Sequence, residues 1–437
     1  MKNIKPKYQK YPEYKDSGVE WLGEIPKHWE VKKVSHLFNE IGSGTTPTSG
    51  DLRYYDGPYN FLQTGDLIDG KIFKTKKSIK ERALKDFSSL KLYPKGSLII
   101  AMYGATIGKL GILEVEAATN QACCVLKKSN MIVTEYIFYV LLGFRSDIIS
   151  LSYGGGQPNI SQDLIKSLRL PIAPLPEQTA IANFLDDKTA KIDRAVAQKE
   201  KLIALLKERK QIIIQNAVTK GLNPNVKLKD SGVEWIGDIP EHWEVKRLKY
   251  VLKSITDKVF SKNTDLTYIG MENVESKTGK WLKQTTETEG LANTFQPGDI
   301  LFGKLRPYLA KVYLAEFEGI CSTEFVVYRC SNPKYFKFLL ISYSFIDFIN
   351  SSTYGAKMPR ANSEWIGNQF IPIPTITEQK QIVAYIEEQS AKIDKAISLQ
   401  QKQIEKLKEY KTVLIDNVVT GKIKVLNRIK ELTRRTR

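Results

Sequence analysis

One segment of this chain occurs twice. Lys15–Lys32 (KDSGVEWLGEIPKHWEVK) returns as Lys229–Lys246 (KDSGVEWIGDIPEHWEVK), with changes only at Leu22/Ile236, Glu24/Asp238 and Lys27/Glu241. Chance does not produce such a match, and a repeat fixes the architecture before any other reading, because each copy has to build the same unit. The offset between these heads is 214 residues. A second set of matches follows at an offset of 201. Leu170-Pro-Ile-Ala-Pro-Leu-Pro-Glu-Gln178 pairs with Ile371-Pro-Ile-Pro-Thr-Ile-Thr-Glu-Gln379, Ala-Lys-Ile-Asp recurs at 190–193 and 391–394, and Asn216-Ala-Val-Thr219 matches Asn417-Val-Val-Thr420. The first copy therefore carries 13 more residues between its conserved ends. Most of them are expected in Ile41–Tyr59, whose Gly, Ser, Thr and Pro content reads as loop.

The later matched segments have helical spacing. In the first copy Leu185, Ile192, Val196, Ile203, Leu206 and Ile213 recur at intervals of 3, 4 or 7; Ile386, Ile393, Ile397, Ile404, Leu407 and Leu414 stand at equivalent places in the second. A single apolar stripe on a charged helix is the mark of a coiled-coil seam. Pro176 suits a first helical turn, and Thr375 with Glu378 fits a capping box. Gly221 and Gly421 stand where left-handed C-terminal caps belong. Each helix is predicted to run about 40 residues, roughly 60 Å. The matching stripe in the same chain is the nearest partner, so an antiparallel intramolecular pair is expected. Thr377 replaces Pro176 in the second copy, which predicts a looser helix start there.

Between heads and helices lie two dissimilar segments with a strong β component. Tyr93–Met102 and Phe295–Phe302 each read as a turn running into an apolar strand; Ala122–Leu126 and Phe325–Tyr328 read as later strands, and Ile132–Phe144 and Tyr335–Ile349 as apolar helices. The fold class this implies is α+β: two mixed domains joined by two long helices in a pseudo-two-fold internal repeat.

Charge narrows the partner. The chain holds 66 Lys and Arg against 48 Asp and Glu, a net charge of +18, which favours association with polyanions. Nucleic acid leads, with an anionic membrane surface as the competing reading. No apolar run reaches the roughly 20 residues a membrane helix needs, and the first residues lack a signal-peptide core. A cytoplasmic protein is expected. The four cysteines (Cys123, Cys124, Cys321, Cys330) form no Cys-x-x-Cys pair and there are only three histidines, so core thiols are expected and no metal site.

No catalytic constellation emerges. A self-contained adenine methyltransferase needs an Asn/Asp-Pro-Pro-aromatic loop for its flipped base, and Asn332-Pro333-Lys334-Tyr335 lacks the second proline. Gly154-Gly155-Gly156 follows a predicted helix rather than the strand that a cofactor-binding turn requires. His28 and His242 share one place in the heads, between Pro and Trp, and read as packing groups.

Binding candidates are more numerous. The run Lys71–Lys85 carries Lys71, Lys74, Lys76, Lys77, Lys80, Arg82 and Lys85 with few acids, which suits phosphate contact. Arg53, Tyr54 and Tyr55 lie in the loop that is longer in the first copy, and Lys304, Arg306 and Tyr308 follow a strand of the second. Two further loops occupy equivalent places: one offers Gln157, Asn159 and Ser161, the other Lys357, Arg360 and Asn362. These side chains can read base edges or stack beside the backbone. They are also where the copies differ most, as a protein reading two unlike half-sites requires.

The doubled head-plus-helix order resembles the specificity subunit of type I restriction-modification systems. The matching text is Trp21-Leu-Gly-Glu-Ile-Pro-Lys-His-Trp29 with its repeat Trp235–Trp243, Gly44-Thr-Thr-Pro47, Gln63-Thr-Gly-Asp66 and the Pro-Glu-Gln178 that opens the first helix. The resemblance spans nearly the whole chain. It implies two target-recognition domains, 1–170 and 225–371, two conserved antiparallel coiled-coil helices, 171–224 and 372–425, and a basic tail, 426–437. It also implies double-stranded DNA and two methyltransferase subunits as partners, with restriction subunits joining that core. S-adenosylmethionine, ATP and Mg2+ would belong to those partners and none to this chain. A self-contained DNA adenine methyltransferase and a sequence-blind coiled-coil DNA tether are the alternatives.

Overall fold

The computed structural model describes residues 9–152, 159–283, 289–355 and 357–425. Gln157, the three-glycine run 154–156 and the basic tail lie outside them. The chain divides into two compact units, one comprising 1–197 with 403–437 and the other 198–402.

Both long helices form, and both exceed the expected length: Leu175–Lys220 has 46 residues and Ile376–Val419 has 44. Their apolar stripes are buried most fully towards the ends. In the first unit Leu185, Ile192, Val196, Ile404 and Leu414 are buried, and Lys411 Nζ pairs with Asp193 at 2.7 Å. In the second unit Ile386 and Ile393 are buried, Lys199 bonds Gln400 at 3.1 Å and Lys210 bonds Asp394 at 2.8 Å. Within this second unit the partner's number falls as the other rises, so its two helical stretches run antiparallel. Ile203, Leu206, Ile397 and Leu407 are only half-buried, and so is Ile213. Its neighbour Ile214 is buried and joins a core with Ala217, Val218 and Trp243.

In the first variable domain the strands Leu98–Ala101, Leu110–Leu113 and Cys123–Leu126 are buried along their whole length, as continuous apolar runs should be. They form the middle of a five-stranded sheet whose edges are Ile41–Ser43 and Gly70–Ile72. A three-stranded sheet holds Tyr55–Leu62 between Ala117–Thr119 and Lys77–Ile79. Helix Thr134–Gly143 covers the core, burying Tyr136, Ile137, Phe138 and Val140.

The second domain repeats the central antiparallel pairs. Ile300–Gly303 pairs with Phe325–Arg329 and with Val312–Leu314, and Lys253–Ile255 completes a four-stranded sheet. The neighbouring sheet differs: Lys258–Phe260 and Leu291–Phe295 add an antiparallel pair on the side of Gly319–Ser322 away from Tyr268–Ile269. The single helix expected over 335–349 is two, Pro333–Leu340 and Tyr343–Ser351. Ser342 breaks it in extended backbone, and its buried hydroxyl donates to Leu339 O at 2.6 Å.

Strand register locates the 13 extra residues. Gly42 and Ile255 face equivalent partners, Val125 and Val327, an offset of 213. Phe61 and Tyr268 pair with Ala118 and Ile320, an offset of 207, and strands Leu98–Ala101 and Ile300–Gly303 stand 202 apart. The surplus is therefore split almost evenly about the turn at Gln63–Asp66, and the segment 41–59 does not hold most of it.

Each head is a small clasp between helix ends. In the first unit the buried Trp29 packs edge-on against Tyr136, and Tyr14 Oη donates to Gly421 O at 2.9 Å at the end of the second helix. The same head reaches the start of the first helix, where His28 Nε2 lies 2.9 Å from Glu177 and Tyr11 Oη donates to that carboxylate. In the second unit Trp243 Nε1 donates to Glu378 at 3.1 Å and His242 Nε2 lies 2.8 Å from it, while Gly221 meets the Trp243 ring. Both histidines are thus packing and anchoring groups.

The start of the second helix is not loose. Thr375 N donates to Glu378 Oε2 at 3.1 Å and Glu378 N donates back to Thr375 Oγ1 at 3.3 Å, a reciprocal box. Burial pushes the Glu378 carboxyl up, but hydrogen bonds from Thr375, Trp243 and His242 outweigh it and hold the group down at about 2.

Candidate nucleic-acid interface

The central strand of each domain leads into a short turn, and that turn is laced to the loop before the next helix. In the second domain Ala361 N donates to Lys304 O at 2.9 Å and Arg306 N to Pro359 O at 2.7 Å, and Leu305 bridges to Arg360. Lys304, Arg306, Tyr308, Lys357, Arg360 and Asn362 are thereby gathered on two joined loops. In the first domain Ile160 N donates to Met102 O at 2.8 Å and Tyr103 bridges to Asn159. Offsets of 202 and 201 make this lacing the same as in the second domain. The sequence reading missed residues 103–108 as a site element. The signal was available in the alignment of Ala101-Met-Tyr-Gly-Ala-Thr-Ile-Gly-Lys109 with Gly303-Lys-Leu-Arg-Pro-Tyr-Leu-Ala-Lys311.

Several proposed readers have local duties. Ser161 Oγ accepts from Leu164 N at 3.0 Å, and Asn362 Oδ1 accepts from Glu364 N at 2.8 Å and Trp365 N at 3.0 Å. Both are helix N-caps, so their oxygens are already engaged. Arg360 makes a forked contact with Glu324, with bonds of 3.0 to 3.2 Å. Lys357 and Tyr308 are exposed. Arg306 has no carboxylate partner among the described residues; its Nε is buried without a hydrogen bond, and Nη2 reaches Lys357 O at 3.5 Å.

Arg53, Tyr54 and Tyr55 come together with the lysine run at an edge of the three-stranded sheet. Phe61 faces Lys77 in register, Lys80 N donates to Tyr54 O at 2.9 Å, and Lys77 Nζ lies 6.0 Å from the Tyr55 ring centre. Arg53 is held by Asp51 at 2.6 Å, and Tyr55 Oη donates to Pro47 O at 2.7 Å. The run itself is largely engaged. Lys71 pairs with Glu114 at 3.0 Å, Arg82 with Asp86 at 3.2 Å and Lys85 with Glu81 at 2.8 Å, while Lys76 Nζ reaches Gly65 O and Lys80 Nζ reaches Leu52 O. It is two strands, in different sheets, and a short helix rather than one basic stripe. Lys74 and Lys77 have no carboxylate partner among the described residues. Exposed pairs are weak, so the engaged cations exchange readily for phosphate.

The quoted motifs serve as joints. A Cβ on Gly44 would collide with Thr119 O, and Gln63 N donates to Asp66 at 2.9 Å to close a tight turn. Burial pushes the thiols of Cys123, Cys124 and Cys321 up to about 12 and that of Cys330 to about 11, so all four stay protonated at neutral pH. Among the described residues no three His, Cys, Asp or Glu side chains are grouped as metal ligands, and no helix is long and apolar enough to cross a membrane.

Two copies of one frame, with unlike loops at one end and matched helices behind, define a duplicated specificity module. The chain belongs to the family of the type I restriction modification DNA specificity domain, whose model matches it twice, over residues 26–204 and 240–409. It is similar to the type I restriction enzyme MjaVIII specificity subunit of Methanocaldococcus jannaschii, 25% identical over 423 residues and covering 92% of this chain and 95% of that one. The EcoDI specificity subunit of Escherichia coli is 25% identical over 394 residues, 85% of this chain and 83% of its own. Among solved structures, a chain described in work on complex assembly and conformational transition of the type I R-M system aligns with a TM-score of 0.64 at 15% identity, over 90% of this chain and 98% of that one. The HsdS subunit from Thermoanaerobacter tengcongensis gives 0.51 at 15%, over 91% and 98%. At those identities the likeness is one of fold.

Proposed function

We propose that this chain is the non-catalytic DNA-specificity subunit of a type I restriction-modification complex, reading a bipartite, asymmetric target. The observation that carries the reading is the repeated frame with unlike loops: matching lacing holds Lys304 and Leu305 in one copy and Met102 and Tyr103 in the other. One frame with two sets of side chains suits two different half-sites. The matched helices and heads dock two methyltransferase subunits, through which restriction subunits join. S-adenosylmethionine, ATP and Mg2+ are held by those partners, and the assembly works in the cytoplasm.

Methylome sequencing of cells carrying the complete system tests this. Adenine methylation is expected at one split motif, and exchanging residues 41–168 for the corresponding domain of a relative is expected to change one half only. A change in both halves would refute the two-reader model. The purified chain alone, given S-adenosylmethionine and DNA, is expected to transfer no methyl groups. Transfer by the chain alone would favour a self-contained methyltransferase, and sequence-blind binding a tether.

A further inference from the structure

The turns that follow the central strands are entered and left alike, although their 3-10 turns differ in register by one residue. In the first domain the chain runs Gly104 (φ +81°), the 3-10 turn Gly104–Thr106, then Gly108 (φ +73°). In the second it runs Arg306 (φ +49°), the 3-10 turn Pro307–Leu309, then Ala310 (φ +47°). Both copies therefore enter and leave the turn through left-handed residues. The first copy has glycine at both, where this conformation is free of steric cost. The second has arginine and alanine, which adopt it only under strain.

Arg306 is disfavoured twice, since it also precedes a proline. The proline ring pushes the preceding residue towards ψ values of roughly +120° to +160°, yet Arg306 has ψ 63°. The fold holds this geometry from several sides. Leu309 N donates to Arg306 O at 2.9 Å, Ala310 N to Pro307 O at 2.7 Å, and Lys277 N to Leu309 O at 3.0 Å. In the first copy a glycine holds the same left-handed entry without strain, and Ile107 N donates to Gly104 O at 3.1 Å as Leu309 N does to Arg306 O. Strain that a whole surrounding structure enforces points to a functional constraint on the side chain. Arg329 pairs with Asp299 at 2.7 Å and Arg360 with Glu324 at 3.0 Å, while Arg247 lies over the Phe370 ring, 5.4 Å from its centre. Arg306 has no such partner among the described residues; its Nη2 reaches Lys357 O at 3.5 Å, and Lys304 and the exposed Tyr308 lie two residues to either side.

We infer that the turn at 305–310 is the base-reading element of the second domain and that Arg306 is its reading group, directed at the major-groove edge of a guanine. This rests on the reading of the chain as a specificity subunit. A guanidinium matches guanine O6 and N7 with two parallel bonds, a geometry that lysine cannot supply. The first domain has glycine at the equivalent place and so reads its half-site by other means, which makes the two halves of the target unlike.

The test uses the full chain assembled with its methyltransferase subunits and duplexes bearing the motif found by methylation sequencing, intact or altered in one half. Arg306→Gly is expected to bind the intact motif about 10- to 100-fold more weakly and to stop discriminating at one position of the second half, with the first half unaffected. Its thermal midpoint is expected to stay within about 2 °C of the parent or to rise, because strain is removed. Ala310→Gly removes strain without touching the guanidinium, and keeps full discrimination. Arg306→Lys keeps the charge and loses the discrimination. Retained discrimination in Arg306→Gly, or equal weakening on every duplex as a phosphate contact would give, overturns the assignment. If the parent complex itself shows no split motif, the specificity reading fails and this inference falls with it.

Discussion

Replacing Gly421 by alanine should unfasten the first head far more than the same change at Gly221 unfastens the second. Both glycines end a long helix in left-handed backbone, at φ +75° and +72°. That conformation costs an L side chain roughly 1–2 kcal/mol, while the stiffer unfolded chain returns about 0.4–1 kcal/mol. The surroundings differ. A Cβ on Gly421 would lie within 3.0 Å of both Cγ and Cδ of Pro26, a ring that cannot swing aside. A Cβ on Gly221 would meet Trp243 Cζ2 at 3.2 Å and Pro240 Cγ at 3.7 Å, which a shift of a few tenths of an ångström relieves. Forced overpacking adds about 1–3 kcal/mol, so Gly421→Ala should cost about 2–4 kcal/mol and Gly221→Ala about 1 kcal/mol. Denaturant melts of the purified chain measure the difference. Hydrogen exchange locates it, with amides near 26–33 losing protection in the first variant and those near 240–247 in the second. Equal losses, or a larger one for Gly221→Ala, would refute the reasoning from Pro26.

The two head tryptophans should also part company. Trp243 Nε1 donates to Glu378, whereas Trp29 Nε1 is buried without a partner, so Trp243→Phe should cost about 1–3 kcal/mol more than Trp29→Phe in the same melts. The depressed Glu378 carboxyl predicts an acid limb. Its folded value of about 2 lies below the ordinary 4.5, so its contribution is complete above about pH 4.5 and is lost as pH falls towards 2. The stability gap between the parent and Glu378→Gln should close over that window; a gap constant with pH would disprove the linkage. Removing one heptad from each long helix, in the stretches around Ile203 and Ile397, should change the preferred spacer of the target. That change is read by methylation sequencing, and an unaltered spacer would count against the helices as rulers.

Much of this was legible in the residues because the repeat supplied its own alignment. The long helices, the strands Leu98–Ala101 and Ile300–Gly303 and the helix Thr134–Gly143 follow from apolar spacing, which local sequence records. What escaped depends on contacts distant in sequence. Ile214, off the apolar stripe, is buried because it joins the core that also holds Trp243. Ser342 divides an apolar stretch that looks continuous. In the turn at 103–108 Gly104 and Gly108 resemble ordinary loop glycines until their counterparts, Arg306 and Ala310, are seen with the same left-handed φ. Arg360 and Asn362 looked free as text and are engaged by Glu324 and by a helix start. Polar side chains carry no mark in sequence of whether the fold has already used them.

The unequal composition of the two units bears on how the chain is made. The second unit is one uninterrupted stretch, 198–402, while the first needs 403 onwards to complete what residues 1–197 begin. A ribosome working from the N-terminus therefore releases the second unit ready to fold while the first still exposes the apolar face of Leu185, Ile192 and Val196. Domains usually finish in the order of synthesis; here the part made first is finished last. A nonsense codon near residue 403 would spare the unit translated later and cripple the one translated earlier.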